Sequence, residues 1–196
     1  MTAPDFDIVV SGGGVAGLTA AAVFGNAGFS VLCVDPAPPV TDRDAKGADL
    51  RTTAFLQPAQ ALLERAGLWA RLAPHAADLQ IMRIVDAGGE RAEPRLTKEF
   101  DASDISDRPF GWNLPNWLLR REMVAHLESL DTVAFRPGTG FASLFTREAE
   151  ARVGLSDGTK LRCRLVIAAD GRTSPVREAT GIGVKTMRYG QKALAF

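Results

Sequence analysis

Near its N-terminus the chain reads Asp7-Ile8-Val9-Val10-Ser11-Gly12-Gly13-Gly14-Val15-Ala16-Gly17-Leu18. This segment is the strongest indication of the fold in the sequence. The apolar residues before Ser11 predict a short buried strand, and the small residues from Thr19 onward predict a helix. Between them stand glycines spaced G-x-G-x-x-G. In such a unit the first glycine permits a tight turn, the second lets a pyrophosphate approach the backbone, and the third lets the helix pack closely on the sheet. The segment therefore predicts a dinucleotide-binding unit.

The residues after this segment support the same prediction. A second strand at 30–34 ends at Asp35, 18 residues after Gly17. The first amides of the helix would face the phosphates, and Asp35 can accept hydrogen bonds from both ribose hydroxyls of an adenosine. Its charge disfavours a 2′-phosphorylated adenosine, so FAD and NAD both remain open. Because Gly13 is not one of the three motif glycines, we expect its substitution to be milder than that of Gly14.

Composition excludes several other classes of protein. With 196 residues, 46% of them hydrophobic and 23% charged, the chain is an ordinary globular protein of one domain or two small ones. The 23 basic and 23 acidic residues cancel, which gives no basis for nucleic-acid binding. No apolar run has the length of a membrane helix, residues 1–10 lack a secretory pattern, and two cysteines define no disulfide framework. His75 and His126 lack a second ligand nearby, so no metal site is predicted, and the chain is expected in the cytoplasm.

The remaining pattern alternates helices, strands and loops. The predicted elements are a loop at 36–49, helices at 58–66 and from Asn116 as N-cap, and strands at 81–86, 91–100, 140–146, 149–155 and 159–164. The run 165–169 is continuously apolar, which is typical of a strand buried on both faces. Asp170 follows it. A carboxylate at the carboxyl end of a parallel strand faces the crevice where open α/β sheets bind ligands.

Taken in order, these segments resemble the FAD-dependent aromatic hydroxylases typified by para-hydroxybenzoate hydroxylase. The matching positions are Gly12-x-Gly14-x-x-Gly17, Asp35, Arg51 and Ala168 with Asp170-Gly171-x-x-Ser174-x-Val176-Arg177. Residues 49–54, 62–69 and 116–121 are most similar to the ubiquinone-biosynthesis hydroxylases. Family members are considerably longer, and their later Gly-Asp motif has no counterpart here. The chain thus resembles the front half of a hydroxylase and is expected to be inactive by itself.

The resemblance implies an α/β fold: a Rossmann-like FAD-binding domain with a parallel sheet and a β-hairpin or meander, plus the start of a mixed-sheet substrate domain. Residues 1–75 and 113–196 would form the first and residues 76–112 the second. The residues expected to bind the cofactor are Gly12, Gly14, Val15, Ala16, Gly17, Asp35, Arg51, Arg120, Asp170 and Gly171. Of these, Asp35 would hold the ribose and Arg51 the phosphates. Arg51 is otherwise a solvated loop residue.

The resemblance also implies a reaction. NADH or NADPH reduces FAD, and the reduced flavin uses O₂ to hydroxylate an aromatic ring, here a polyprenyl-phenol precursor of ubiquinone. Catalytic residues are not identifiable from this chain. The expected partner is a small aromatic substrate, with peripheral attachment to the inner membrane face and homo-oligomerisation as further expectations for the full-length protein. Two alternatives stay open: another flavoprotein on the same scaffold (an epoxidase, halogenase or prenyl reductase), or a non-catalytic FAD-binding remnant.

Overall fold

The computed structural model describes residues 3–88 and 93–193, which form eleven strands and five α-helices. The strands are β1 Phe6–Ser11, β2 Val31–Asp35, β3 Thr52–Leu56, β4 Ala77–Leu79, β5 Ile81–Asp86, β6 Leu96–Asp101, β7 Gly111–Pro115, β8 Val133–Pro137, β9 Phe141–Thr146, β10 Ala151–Leu155 and β11 Lys160–Ala168. The helices are α1 Val15–Asn26, α2 Gln57–Arg65, α3 Trp69–Leu72, α4 Asn116–Glu128 and α5 Pro175–Ala179.

The main sheet has the strand order β8-β2-β1-β11-β10-β9. Its first four strands are parallel, and β10 and β9 complete it as an antiparallel meander. In β1, Ile8 lies between Val31 of β2 and Leu165 of β11. The predicted α/β class, with a parallel sheet and a meander, is confirmed.

Apolar side chains cover both faces of the centre of this sheet. Val9 and Val10 of β1 are both fully buried, and they belong to separate clusters because successive strand residues point to opposite faces. The Val10 cluster includes α1 and α4, where Leu119 and Met123 are fully buried. The small residues of α1 allow the helix to lie close to the strands. This packing places the start of α1 above the carboxyl end of β1.

A three-stranded antiparallel sheet, β3-β7-β4, and a two-stranded ribbon, β5-β6, complete the described structure. The three-stranded sheet pairs 52–56 and 77–79 with 111–115, so it joins segments on both sides of the expected domain boundaries. The division into 1–75 with 113–196, and 76–112, stays a prediction. All six residues of β5 are exposed to solvent.

Several local predictions were wrong. Strands β3, β4, β7 and β8 were not predicted, because each forms by pairing with a segment that is distant in the chain: β3 and β4 pair with β7, and β8 pairs with β2. Asn116 is not the N-cap of α4 but its first residue, and Pro115 precedes it as the cap. The second strand of the ribbon begins at Leu96. Residues 91 and 92, which were predicted as the start of this strand, lie outside the described part of the chain.

The predictions for the last strand also change. Residues 160–168 form one strand rather than two, and the expectation that 165–169 is buried on both faces is wrong, since Leu165 is 46% exposed. Pairing with β10 ends at Cys163, whereas pairing with β1 continues to Ala168. Among the described residues, the other edge of β11 therefore has no strand partner beyond Cys163.

Candidate functional site

The parallel strands bring three predicted groups to one edge of the main sheet. β1 ends at Ser11 and runs into the glycine loop, β2 ends at Asp35, and Asp170 comes two residues after the end of β11. Because these three strands are adjacent and parallel, their carboxyl ends lie side by side. This is the edge where open α/β sheets bind ligands.

The glycines of the loop differ in what surrounds them. Gly12 has φ +114°, and a Cβ there would collide with the carbonyl oxygen of Ala169. A Cβ at Gly17 would collide with the carbonyl oxygen of Gly12. At Gly14, by contrast, an added Cβ would meet no atom within 4 Å. Gly12 and Gly17 are thus required by the fold itself, whereas the space at Gly14 is open to a ligand.

The backbone of Gly13 binds the carboxylate at the end of β2. Its amide donates to Oδ2 of Asp35 at 2.6 Å, and the amide of Ala37 donates to Oδ1 at 2.9 Å. A Cβ at Gly13 would lie 2.9 Å from the Cβ of Asp35, closer than real Cβ atoms approach. The premise that Gly13 has no comparable steric demand is therefore wrong. The fold has already oriented both oxygens of Asp35 beside the glycine loop.

The start of α1 offers backbone donors at the same edge of the sheet. No side chain caps this helix and its first turn carries no acidic residue, so the first-turn amides of Val15, Ala16 and Gly17 remain available to an anion. The amide of Leu18 is the first to bond within the helix, to the carbonyl of Gly14 at 2.9 Å. A twelve-residue helix also places the positive end of its dipole here.

Arg120 supplies a positive charge at this cleft. The cleft has a volume of about 170 Å³. Its lining consists of Gly13, Gly14, Asp35, Ala37, Pro38, Pro39 and Arg120. Within the described residues, the guanidinium of Arg120 has no hydrogen-bonded or ion-paired partner. A cation without a carboxylate partner, beside uncapped helix amides, favours the binding of a phosphate group.

Arg51 is placed differently. Its side chain is 62% exposed and forms a bidentate ion pair with Asp49, with Nε–Oδ1 and Nη2–Oδ2 distances of 2.8 Å. The Arg51 guanidinium, followed by the Asn116 amide, holds the pKa of the Asp49 carboxyl well below its usual range. Arg51 does not line the small cleft that contains Arg120. The sequence motif identified Arg51 but not its partners Asp49 and Asn116.

Asp170 has one satisfied and one unsatisfied oxygen. Its Oδ2 accepts from the amide of Val176 at 3.1 Å and from Oγ of Ser11 at 3.5 Å. Its Oδ1 is buried and has no partner among the described residues. Gly171 follows with φ +85°, a conformation that favours glycine. An orphaned buried oxygen is costly, which indicates that a further hydrogen-bond donor belongs at this position.

The two cysteines are buried strand residues, and Sγ of Cys33 lies 3.8 Å from the carbonyl oxygen of Gly12. Cys33 and Cys163 are buried in β2 and β11, and burial raises their pKa to about 12 and about 11. Both thiols therefore stay protonated at neutral pH and behave as small apolar residues. The described residues contain no group of three or more side chains suited to hold a metal ion, and no helix among them is both long and apolar enough to cross a membrane.

A glycine loop, a strand-end carboxylate and an uncapped helix on one sheet edge point to a nucleotide, and comparison with known families decides which kind. The model of a family described as FAD binding domain matches residues 5–194. The chain belongs to this FAD-binding family. The resemblance to FAD-dependent aromatic hydroxylases is thereby confirmed.

Relatives in this FAD-binding family include enzymes of ubiquinone chemistry. The chain is 34% identical to ubiquinone hydroxylase UbiL of Rhodospirillum rubrum, over 96% of this chain and 42% of that protein. It is 28% identical to 3-demethoxyubiquinol 3-hydroxylase of Escherichia coli, over 99% of this chain and 48% of that protein. The chain thus spans less than half the length of these relatives.

Two solved monooxygenase structures share the fold of this chain. p-Nitrophenol 4-monooxygenase PnpA of Pseudomonas putida aligns over 90% of this chain and 43% of its own, with a TM-score of 0.73 at 24% identity. The flavin-dependent monooxygenase PieE, solved in complex with FAD and substrate, aligns over 93% of this chain and 33% of its own, with a TM-score of 0.72 at 25% identity.

Proposed function

We propose that the cleft at the carboxyl ends of β1 and β2 binds the adenosine and pyrophosphate part of FAD. The observation that carries this proposal is the open space at Gly14, bounded by the uncapped start of α1 and by the guanidinium of Arg120, which has no partner in the described part of the chain. These are the donors that a pyrophosphate needs, and the residues present fit the cofactor.

Each expected residue then has a role. Gly14, Val15, Ala16 and Gly17 present backbone to the pyrophosphate, while Gly12 keeps the turn. Asp35 binds the ribose hydroxyls: each of its oxygens accepts one backbone hydrogen bond and retains a lone pair. Arg51 and Arg120 neutralise the phosphates. At Asp170, the buried Oδ1 would accept a hydrogen bond from a cofactor hydroxyl or an ordered water. Gly171, which has no side chain, lets the backbone lie close to the cofactor.

For the whole protein, we propose hydroxylation of the aromatic ring of a polyprenyl-phenol precursor of ubiquinone, with NAD(P)H as co-substrate. FAD supplies the electron transfer and the oxygen chemistry when bound. The support is similarity to the named ubiquinone hydroxylases. An apolar substrate of this kind would favour a cytoplasmic protein that attaches to the membrane surface. The test is to measure NADH and NADPH consumption by the full-length protein beside hydroxylated product; consumption without product, or no consumption, contradicts the proposed reaction.

Titration of FAD, followed by flavin fluorescence, tests the cleft. Gly14→Ala is the decisive variant, because its methyl group meets no protein atom and yet occupies the space assigned to the pyrophosphate. We expect FAD to bind at least about tenfold more weakly to it, or ~1.4 kcal/mol, with an unchanged melting temperature. Gly183→Ala is the matched control, since a Cβ there also meets no atom within 4 Å. Equal affinity of both variants for FAD would contradict the proposed site.

A further inference from the structure

One edge of the Arg51 guanidinium is bound to Asp49, and its other N–H groups have no partner among the described residues. Nε and one N–H of Nη2 donate to the two oxygens of Asp49, both at 2.8 Å. A guanidinium has five N–H groups, so this fork leaves the second N–H of Nη2 and both N–H groups of Nη1 unused. The second N–H of Nη2 and one N–H of Nη1 point in the same direction and form a second edge of the guanidinium. That edge faces away from the carboxylate, consistent with a side chain that is 62% exposed.

Asp49 is itself held firmly. Its side chain is 15% exposed, and its Oδ2 accepts from Nδ2 of Asn116 at 3.0 Å. The backbone makes two further bonds: the amide of Trp117 donates to the carbonyl of Asp49 at 3.2 Å, and the amide of Asn116 donates to the carbonyl of Arg51 at 2.9 Å. Thr53 Oγ1 donates to Oδ1 of Asn116 at 2.6 Å. Residues 49–53 are thereby tied to the first turn of α4.

The same helix carries the other cation of the site. Arg120 follows Asn116 by four residues, about one turn, and lines the cleft of the glycine loop. The first turn of α4 therefore sets the placement of Arg120 directly and of Arg51 through Asn116 and Asp49.

We propose that Asp49 and Asn116 are positioning residues, which orient Arg51 so that its free N–H edge binds a phosphate group of FAD. This inference rests on the proposed FAD-binding function. Arginine loses much rotamer freedom when it binds, and a fork made beforehand removes that cost from the binding step. Because the Asp49 carboxylate occupies the edge formed by Nε and Nη2, it need not be displaced when a phosphate binds at the edge formed by Nη1 and Nη2.

The experiment is a double-mutant cycle on FAD affinity, measured by flavin fluorescence with Asp49→Asn, Arg51→Ala and the double variant. We expect Asp49→Asn to weaken FAD binding about tenfold, the equivalent of one charge-assisted hydrogen bond. If Asp49 acts through Arg51, the change Asp49→Asn should not weaken FAD binding further in the chain that already carries Arg51→Ala. Asp42→Asn is the matched control: it changes the charge equally in the same loop, but among the described residues the carboxylate of Asp42 accepts a hydrogen bond only from the amide of Asp44.

Arg51→Lys is a second test, which leaves the hydrogen bond between Asp49 and Asn116 in place. The exposed lysine keeps the charge but cannot form the fork, so we expect a loss of FAD affinity similar to that of Asp49→Asn. Three results overturn the inference: wild-type affinity in Arg51→Lys, tighter FAD binding by Asp49→Asn, or equal effects of Asp49→Asn with and without Arg51. If the unsubstituted chain binds FAD and Gly14→Ala weakens that binding, any of these three results refutes only the positioning role of Asp49 and Asn116. Absence of FAD binding in the unsubstituted protein refutes the proposed function as well.

Discussion

At the scale of single residues, the contact between Gly13 and Asp35 changes what the glycine motif alone predicts. A methyl group at Gly13 must push Asp35 away, because the two Cβ atoms would lie 2.9 Å apart. We therefore expect Gly13→Ala to lower both FAD affinity and the melting temperature, whereas Gly14→Ala lowers affinity alone. Calorimetry and FAD titration of the two variants separate these effects. An unchanged melting temperature in Gly13→Ala would show that the loop relaxes without cost.

The carboxylate of Asp35 is the proposed acceptor for the ribose hydroxyls of FAD. Asp35→Ala removes the ribose acceptor and the two backbone hydrogen bonds that hold the loop. We expect FAD binding to weaken by about 1–3 kcal/mol, the range for charge-assisted hydrogen bonds. Asp35→Asn is the control, since it keeps one acceptor oxygen and should lose less. If both variants bind FAD with wild-type affinity, the assignment of Asp35 to the ribose is wrong.

At the scale of elements, the end of α2 is joined to α1 and α4 through one carbonyl. The side chains of Asn26 and His126 both contact the carbonyl oxygen of Ala66, at 2.5 and 3.0 Å. Burial lowers the pKa of His126 below its usual 6.5, and the charge of Arg71 adds to this, although the bond to Ala66 opposes it. The joint between these helices is therefore built around a neutral imidazole.

This joint makes the stability of the fold depend on pH. The folded pKa of His126 is lowered, so the unfolded chain binds more protons below about pH 6.5. The free energy of unfolding should fall as pH decreases from 7 through that window to the folded pKa of His126. Melting temperatures between pH 7 and 5 measure this. His126→Gln, which still offers a donor to Ala66, should lose that part of the dependence; an identical pH profile in the variant would assign it to other groups.

At the scale of the whole molecule, two exposed surfaces favour association. The outer edge of β11 has no strand partner beyond Cys163 among the described residues, and Leu165 on that strand is 46% exposed. On the ribbon, one face carries Met82 and Ile84, about half exposed. Unpaired strand edges and exposed apolar residues promote pairing between chains.

We therefore expect the 196-residue chain to self-associate with rising concentration, which sedimentation velocity would detect. Leu165→Lys should reduce this association, because a charge on an edge strand opposes pairing with another strand. Val184→Lys is the control: it removes an apolar residue that is even more exposed, at 63%, and that lies in no strand. If both variants associate to the same extent as the unsubstituted chain, the edge of β11 is not the contact.

What the sequence determined by itself is local. The first strand, the glycine loop and the first helix follow one another within about twenty residues. The helices α2 and α4 are predicted from apolar residues spaced three or four positions apart. Turn chemistry, helix spacing and strand alternation are properties of short segments, so the α/β class, the glycine loop and the strand-end acids Asp35 and Asp170 were predicted.

The tertiary structure decided what depends on residues distant in the chain. Gly13 and Asp35 are 22 positions apart, Asp49 and Asn116 are 67 apart, and Ser11 and Asp170 are 159 apart. Strands β3 and β7 exist because 52–56 meets 111–115. Leu165 is exposed where β11 extends past β10, since β10 begins at Ala151 opposite Cys163. Side-chain contacts and strand pairing of this kind depend on how the elements pack in space, which no local pattern of apolar and polar residues specifies.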